Sequence, residues 1–199
     1  MNEISLTGYL RDIEFSHDIA GIEYEKANLI CPGSNGKEDD IISLRYKKFC
    51  NKYSEGDLVE LKGNLRSYST RLPDRNTVDI YVFTYFDIPD LQYKNYVNID
   101  GFICKKNDFL RTSKKGVPYL QFIIANNIFT RTNKKINSYL PCIVHGSLAE
   151  EINEKFNVKD YIRIEGELHS HEYKRFITKD EFEFDIAHEL VVKSYEGKK

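Results

Sequence analysis

The chain has 199 residues, 41% hydrophobic and 30% charged, with a formal net charge of −2. That length holds one large domain or two small ones, and the composition excludes a disordered or fibrous chain. No apolar run approaches the ~20 residues of a membrane helix, Met1-Asn2-Glu3-Ile4 does not open a signal peptide, and four dispersed cysteines suit neither a zinc ribbon nor a disulfide framework. The expected setting is a reducing cytoplasm, with no membrane partner.

In chain order, Ser5-Leu6-Thr7-Gly8-Tyr9-Leu10 opens a first apolar strand, and Gly21-Ile22-Glu23-Tyr24 turns into a second. Gly33-Ser34-Asn35-Gly36-Lys37 is the nearest approach to a phosphate loop. Acidic Glu38-Asp39-Asp40 follows it and no helix pattern begins, so it reads as a hairpin loop. Ile42, Leu44 and Tyr46 alternate with Ser43, Arg45 and Lys47, which puts Arg45 and Lys47 on an outer face. On the fourth strand Val59, Leu61 and Leu65 lie opposite Arg66 and Tyr68, and Arg71 follows in the loop. The fifth, Asn76 to Phe86, places Tyr81, Phe83 and Tyr85 in an outward aromatic row if Val78, Ile80 and Val82 are core. A short linker near Pro89–Tyr93 ends this unit.

The pattern then repeats. Asn98-Ile99-Asp100-Gly101-Phe102-Ile103 corresponds to the opening strand, Gly116-Val117-Pro118-Tyr119 to the first turn, and residues 159–168 to 56–65. The register shift grows from 93 to 103 residues along the copy. Second-copy strands fall near Val97–Lys105, Val117–Phe129, Ser138–His145, Asp160–Tyr173 and Glu181–Ser194. Leu148, Ile152 and Phe156 form one stripe of a helix over Ser147–Phe156, with Ser147 and Glu150 as a capping box. Each copy thus reads as three strands, a short helix and two strands. Mid-strand glycines such as Gly101 and Gly166 mark bends. The fold class is all-β: two tandem OB-folds, five-stranded Greek-key barrels, over residues 1–90 and 95–199, with the helix of the second between strands 3 and 4.

The second copy resembles bacterial single-stranded DNA-binding proteins. The likeness rests on Asp100–Ile103, Leu110–Pro118, Phe122–Asn127, His145–Glu150 and Val158–Leu168, and spans about residues 97–175. It implies that bases stack on aromatics in the groove while phosphates follow basic loops. By spacing, the stacking stations are Tyr139, Tyr173, His145 and Phe129, with Tyr68 on the outer face of the first copy. From Lys105 to Lys135 eight cations meet one acid, Asp108, a local charge of +7: Lys105, Lys106, Arg111, Lys114, Lys115, Arg131, Lys134 and Lys135. Such segregation on a near-neutral chain is the footprint of a phosphate backbone. Lys174 and Arg175 extend it at the last hairpin, and Arg45, Lys47, Arg66 and Arg71 offer a second patch.

The expected partner is therefore single-stranded DNA, bound without catalysis, cofactor or metal. His169, His171 and His188 lack a fourth metal ligand and read as groove residues of modest cationic character. Replication, recombination or mobile-element transfer are the processes such a protein serves. A primosome-type scaffold for other replication proteins, or an RNA binder, are the competing readings. A homodimer would supply four OB-folds, the number the related tetramers present, with the aromatic row of the fifth strand as its surface or as the contact between the two copies. The family's acidic, hydrophobic C-terminal tip is not seen at Tyr195–Lys199.

Overall fold

Apolar residues at alternate positions face inward on strand after strand, and this pattern builds two closed barrels. The computed structural model describes residues 1–33, 38–48, 53–71, 76–87, 92–129, 135–178 and 181–197. The first barrel comprises β1 (Asn2–Ile19), β2 (Ile22–Cys31), β3 (Asp40–Lys47), β4 (Leu58–Arg71) and β5 (Asn76–Asp87). The second comprises β6 (Asn95–Lys106), a two-residue β7 (Arg111–Thr112), β8 (Pro118–Phe129), β9 (Lys135–His145), helix α1 (Ser147–Lys155), β10 (Tyr161–Phe176) and β11 (Phe182–Glu196). The loop Ser34–Lys37 and the linker residues 88–91 lie outside the described residues.

Each barrel closes in the same way. The first half of β1 pairs with β4 and its second half with β2, while β3 runs parallel to β5. In the second barrel β6 passes from β10 to β8, and β9 runs parallel to β11. The repeated glycines sit where backbones approach most closely. A Cβ on Gly101 would lie 2.5 Å from the Ala125 carbonyl oxygen, and one on Gly166 only 2.3 Å from that of Val191. No side chain fits there, which is why the bends fall on glycine.

The helix differs from expectation twice. Gly146, at φ 68°, takes the N-cap position, so Ser147 is the first helical residue and makes no side-chain cap. The Gly146 amide bonds the Pro118 carbonyl at 2.8 Å, fixing the turn out of β9. In the first copy, the described residues between β3 and β4 hold no α-helix.

The two barrels are joined by an antiparallel ladder of β1 with β6, from Asn2↔Ile99 to Leu6↔Asn95. With the 93-residue repeat shift, Asn2 corresponds to Asn95 and Leu6 to Ile99, so the ladder is symmetric about Ile4↔Val97. The side chains obey the same two-fold relation. Asn2 donates to the Leu65 carbonyl at 2.8 Å and accepts from its amide at 2.8 Å; Asn95 does the same with Leu168 at 2.8 and 2.9 Å. Tyr139 N–H donates to Ser67 Oγ at 2.7 Å, and Ile41 N–H to Ser170 Oγ at 2.8 Å. The barrels are thus arranged as the two halves of an isologous pair.

Candidate nucleic-acid interface

The outer face of β8 and β9 is the surface an OB-fold uses for oligonucleotides. Inward-pointing Leu140, Cys142 and Val144 are buried, which leaves Tyr139 and His145 outside as their alternation requires. Three rows of side chains cross this face. At one end Arg111 pairs with Tyr119, and Tyr119 with His145, the two rings 6.0 Å apart. Across the middle run Tyr161, Phe102, Ala125 and Tyr139, paired strand to strand through β10, β6, β8 and β9. Tyr161 and Phe102 meet edge to face at 5.3 Å, and Phe102 is 50% exposed and Tyr139 43%. At the far end Phe129, 65% exposed, stands opposite Lys135. Rings left open on a sheet surface offer π-faces to unpaired bases.

Phe102 and Tyr161 escape a search for family stations, yet alternation marks Phe102: Ile99 and Ile103 point inward, so Phe102 points out. Phe109, 81% exposed in the β6–β7 loop, has no periodic signal at all.

The expected cations divide. Lys105, Arg111, Lys114, Lys115 and Lys135 are exposed. Lys106 is not available in the same way: its Nζ donates to the carbonyls of Asn153 and Phe156, at 3.0 and 2.7 Å, and caps the C-terminus of α1. Burial lowers its pKa. Arg131 and Lys134 lie outside the described residues, and Arg71 is described as a strand position alone.

The β10–β11 hairpin projects beyond its own barrel. Tyr173 is half-buried, and its hydroxyl donates to Asp185 at 3.3 Å. Arg175 is held by the same carboxylate at 2.9 Å and by Glu183. Lys174 lies on the opposite face of the hairpin, its Nζ 4.3 Å from the centre of the Phe182 ring.

On the first barrel Arg45 and Lys47 do face outward from β3, with Tyr46 fully buried behind them. The Arg45 guanidinium lies 4.6 Å from the Tyr81 ring and 5.0 Å from the Tyr68 ring, and that of Arg66 lies 3.7 Å from Phe83. The outward aromatic row is therefore capped by guanidinium groups of its own domain at Tyr81 and Phe83, while Tyr85 stays exposed.

His169 and His188 serve the junction between the barrels rather than a groove. His169 bonds Asp40 at 2.8 Å and Glu167 at 3.0 Å, and Asp40 also accepts from the Ser170 amide. The bond to Asp40 raises the His169 pKa against the opposing effect of burial, with Glu167 adding to the rise. Burial alone would raise Asp40, but the bonds from His169 and Ser170 hold its carboxyl below the usual range. Burial lowers the pKa of His188, whose Nε2 bonds the Ile41 carbonyl at 2.9 Å.

Solved structures of the single-stranded DNA binding protein from Thermus aquaticus are similar in fold: a deletion variant at TM-score 0.71 and 15% identity, covering 100% of this chain and 95% of that one, and the wild type at 0.67 and 16%, covering 100% and 93%. Among curated proteins none matches. Residues 94–193, which run from the start of β6 into β11, match the model of the single-strand binding protein family, and over half of its length the chain thereby belongs to that family.

Proposed function

We propose that the protein binds single-stranded DNA without catalysis, holding the strand across the outer face of the second barrel. One observation carries this reading: Phe102, Tyr139 and Phe129 stand exposed on the outer face of β6, β8 and β9, and exposed Lys105, Arg111, Lys114, Lys115 and Lys135 border them. Bases stack on Tyr119, Phe102, Tyr139 and Phe129 while the cations follow the phosphates. A duplex keeps its bases stacked on each other and cannot use such a platform. Arg131 and Lys134, by sequence, belong to the same basic set.

The process served is replication, recombination or transfer of a mobile element, in the cytoplasm, with replication proteins as further partners. Among the described residues no helix is long and apolar enough to cross a membrane. A homodimer is proposed with Tyr85 and the exposed Tyr9 and Leu58 of the first barrel as its surface; light scattering at twice the 23.3 kDa of one chain supports it, and the single mass removes it.

Titration with short oligo-dT, oligo-rU and duplex DNA at two salt concentrations tests the reading. Preference for oligo-dT over duplex, with affinity falling steeply as salt rises, is expected. Equal affinity for duplex overturns it, and preference for oligo-rU transfers it to RNA.

A further inference from the structure

We propose that His169 is a proton-operated latch between the barrels: its imidazolium holds the first residues of β3, and loss of one ring proton loosens them on that side of the pseudo-two-fold alone. The half-buried ring stands between two carboxylates. Nδ1 lies 2.8 Å from Asp40 Oδ2, and Nε2 lies 3.0 Å from Glu167 Oε2. An ionised carboxylate only accepts, so both contacts are hydrogen bonds only while both ring nitrogens carry a proton. A neutral ring has a single N–H. Whichever tautomer it takes, the ion pair is gone and one nitrogen lone pair faces a carboxylate oxygen.

The surroundings favour the doubly protonated ring. Asp40 and Glu38 approach from the first barrel, Glu167 from the same strand, and Glu189 is the cross-strand partner on β11. Lys193 of β11 lines the same cavity with its ammonium on Glu167 at 3.1 Å, as do His145 of β9 and Tyr93. Four carboxylates thus stand against one ammonium, and an excess of negative charge holds a proton on an imidazole.

What the ring holds is the start of β3. The Asp40 carboxylate accepts from His169 and, at 2.6 Å, from the Ser170 amide. The Ile41 amide donates to Ser170 Oγ at 2.8 Å, and the Ile41 carbonyl accepts from His188 Nε2 at 2.9 Å. The His188 bond needs one ring proton, and burial favours the neutral form of that ring, so it does not share the sensitivity of His169. Across the pseudo-two-fold, Arg66 stands in the place of His169 and Ser138 in that of Asp40. The Arg66 guanidinium lies on Phe83, and the Tyr139 amide bonds Ser67 Oγ at 2.7 Å. None of these groups titrates near neutral pH. When His169 loses a proton, β10 and β11 loosen from β3, while the β1–β6 ladder and the Ser67 contact keep the barrels joined.

Nuclear magnetic resonance of the isotope-labelled full chain tests this. Imidazole nitrogen shifts report whether a ring carries one proton or two, and His169 should stay doubly protonated above the ordinary histidine value of about 6.5. Hydrogen exchange of the Ile41 and Ser170 amides is read as a ratio to that of the Tyr139 amide at the same pH, which cancels intrinsic and global pH effects. The latch is fully closed below the ordinary value and weakens as pH rises through the raised one. The ratio should therefore climb as His169 titrates, by about ten-fold for each pH unit between its measured pKa and 6.5. His169→Gln should show a ratio independent of pH. A His169 ring that titrates at or below about 6.5 overturns the latch, as does a ratio that stays constant while the ring titrates. A His169→Gln chain that keeps the wild-type pH dependence also overturns it and transfers the effect to His145.

Discussion

The two barrels share a frame and differ in what stands on it. Corresponding positions can be matched through the cross-strand pairs: Arg45 with Ile143, Lys47 with His145, Arg66 with His169, Phe83 with Val191. In the first barrel the outer face is closed by guanidinium groups lying on aromatic rings and by a hairpin from its neighbour. In the second Phe102, Tyr139 and Phe129 stay exposed on the same face, and its cations stand at strand ends and in the β7–β8 loop. Duplicated folds under no symmetry requirement diverge in their outward residues, while the inward ones and the close-approach glycines stay fixed by packing. The difference also reaches the junction. At one side of the pseudo-two-fold Asp40 accepts bonds from His169 and Ser170; at the equivalent place on the other side stands Ser138, fully buried, with its Oγ unpartnered.

The shared frame gives the largest expected effect. Gly166→Ala drives a methyl group into the Val191 carbonyl, and Gly63→Ala does the same at Phe83, where the distance would be 2.5 Å. Both should cost about 3 kcal/mol or more, or prevent folding, as read by chemical denaturation. A large difference between them would show that the barrels do not share this constraint. The junction comes next. Asp40→Ala removes a nearly buried carboxylate from two charge-assisted bonds and should cost about 2–3 kcal/mol, whereas Ser138→Ala should stay within about 0.5 kcal/mol. Equal costs would contradict the asymmetry.

The stacking faces give the third test. Tyr139→Ala should lose about 1–3 kcal/mol of oligo-dT binding. Tyr173→Ala should lose less, because its ring is half-buried and its hydroxyl is engaged with Asp185. The cations give the fourth. Lys114→Ala and Lys115→Ala should each reduce the salt slope by about 0.7, the single-strand value for one phosphate. Lys106→Ala should leave the slope unchanged and lower stability instead, since its ammonium caps α1.

The smallest effect is a pH dependence of the junction. His169 has its pKa raised in the folded chain, so its contribution to stability is complete below the ordinary histidine value of about 6.5 and is lost as pH rises through the raised folded value. Asp40, lowered, contributes in the opposite direction only in acid: its share disappears as pH falls through its depressed value. Denaturation midpoints should therefore fall modestly as pH rises past 6.5, and His169→Gln should flatten that slope.

Much of this frame was legible in the sequence, and the reason is local. Alternation along a strand reports which side is inward, so Tyr46, Leu140 and Cys142 could be placed inside and Arg45, Tyr68 and Tyr139 outside. Glycines at matching positions exposed the repeat. What stayed hidden depends on long-range pairing. Lys106 looks like any loop lysine until α1 brings two carbonyls to it. Tyr81 and Phe83 look bare until β3 and β4 deliver Arg45 and Arg66. The capping role of Gly146 needed a positive φ that Ser147 and Glu150 gave no hint of. The crossing of the β10–β11 hairpin onto the other barrel follows from the β1–β6 ladder, which no window of the sequence contains.

The central claim is that a single strand lies along the open face of the second barrel. Lysine acetylation of the whole chain, with and without saturating oligo-dT and read by mass spectrometry, tests it most directly. Lys105, Lys114, Lys115 and Lys135 should lose reactivity when the strand is present. Lys155, paired with Glu151 on α1, and Lys193, paired with Glu167, should not change. Protection of Lys155 and Lys193 with Lys114 and Lys115 left reactive would contradict the account.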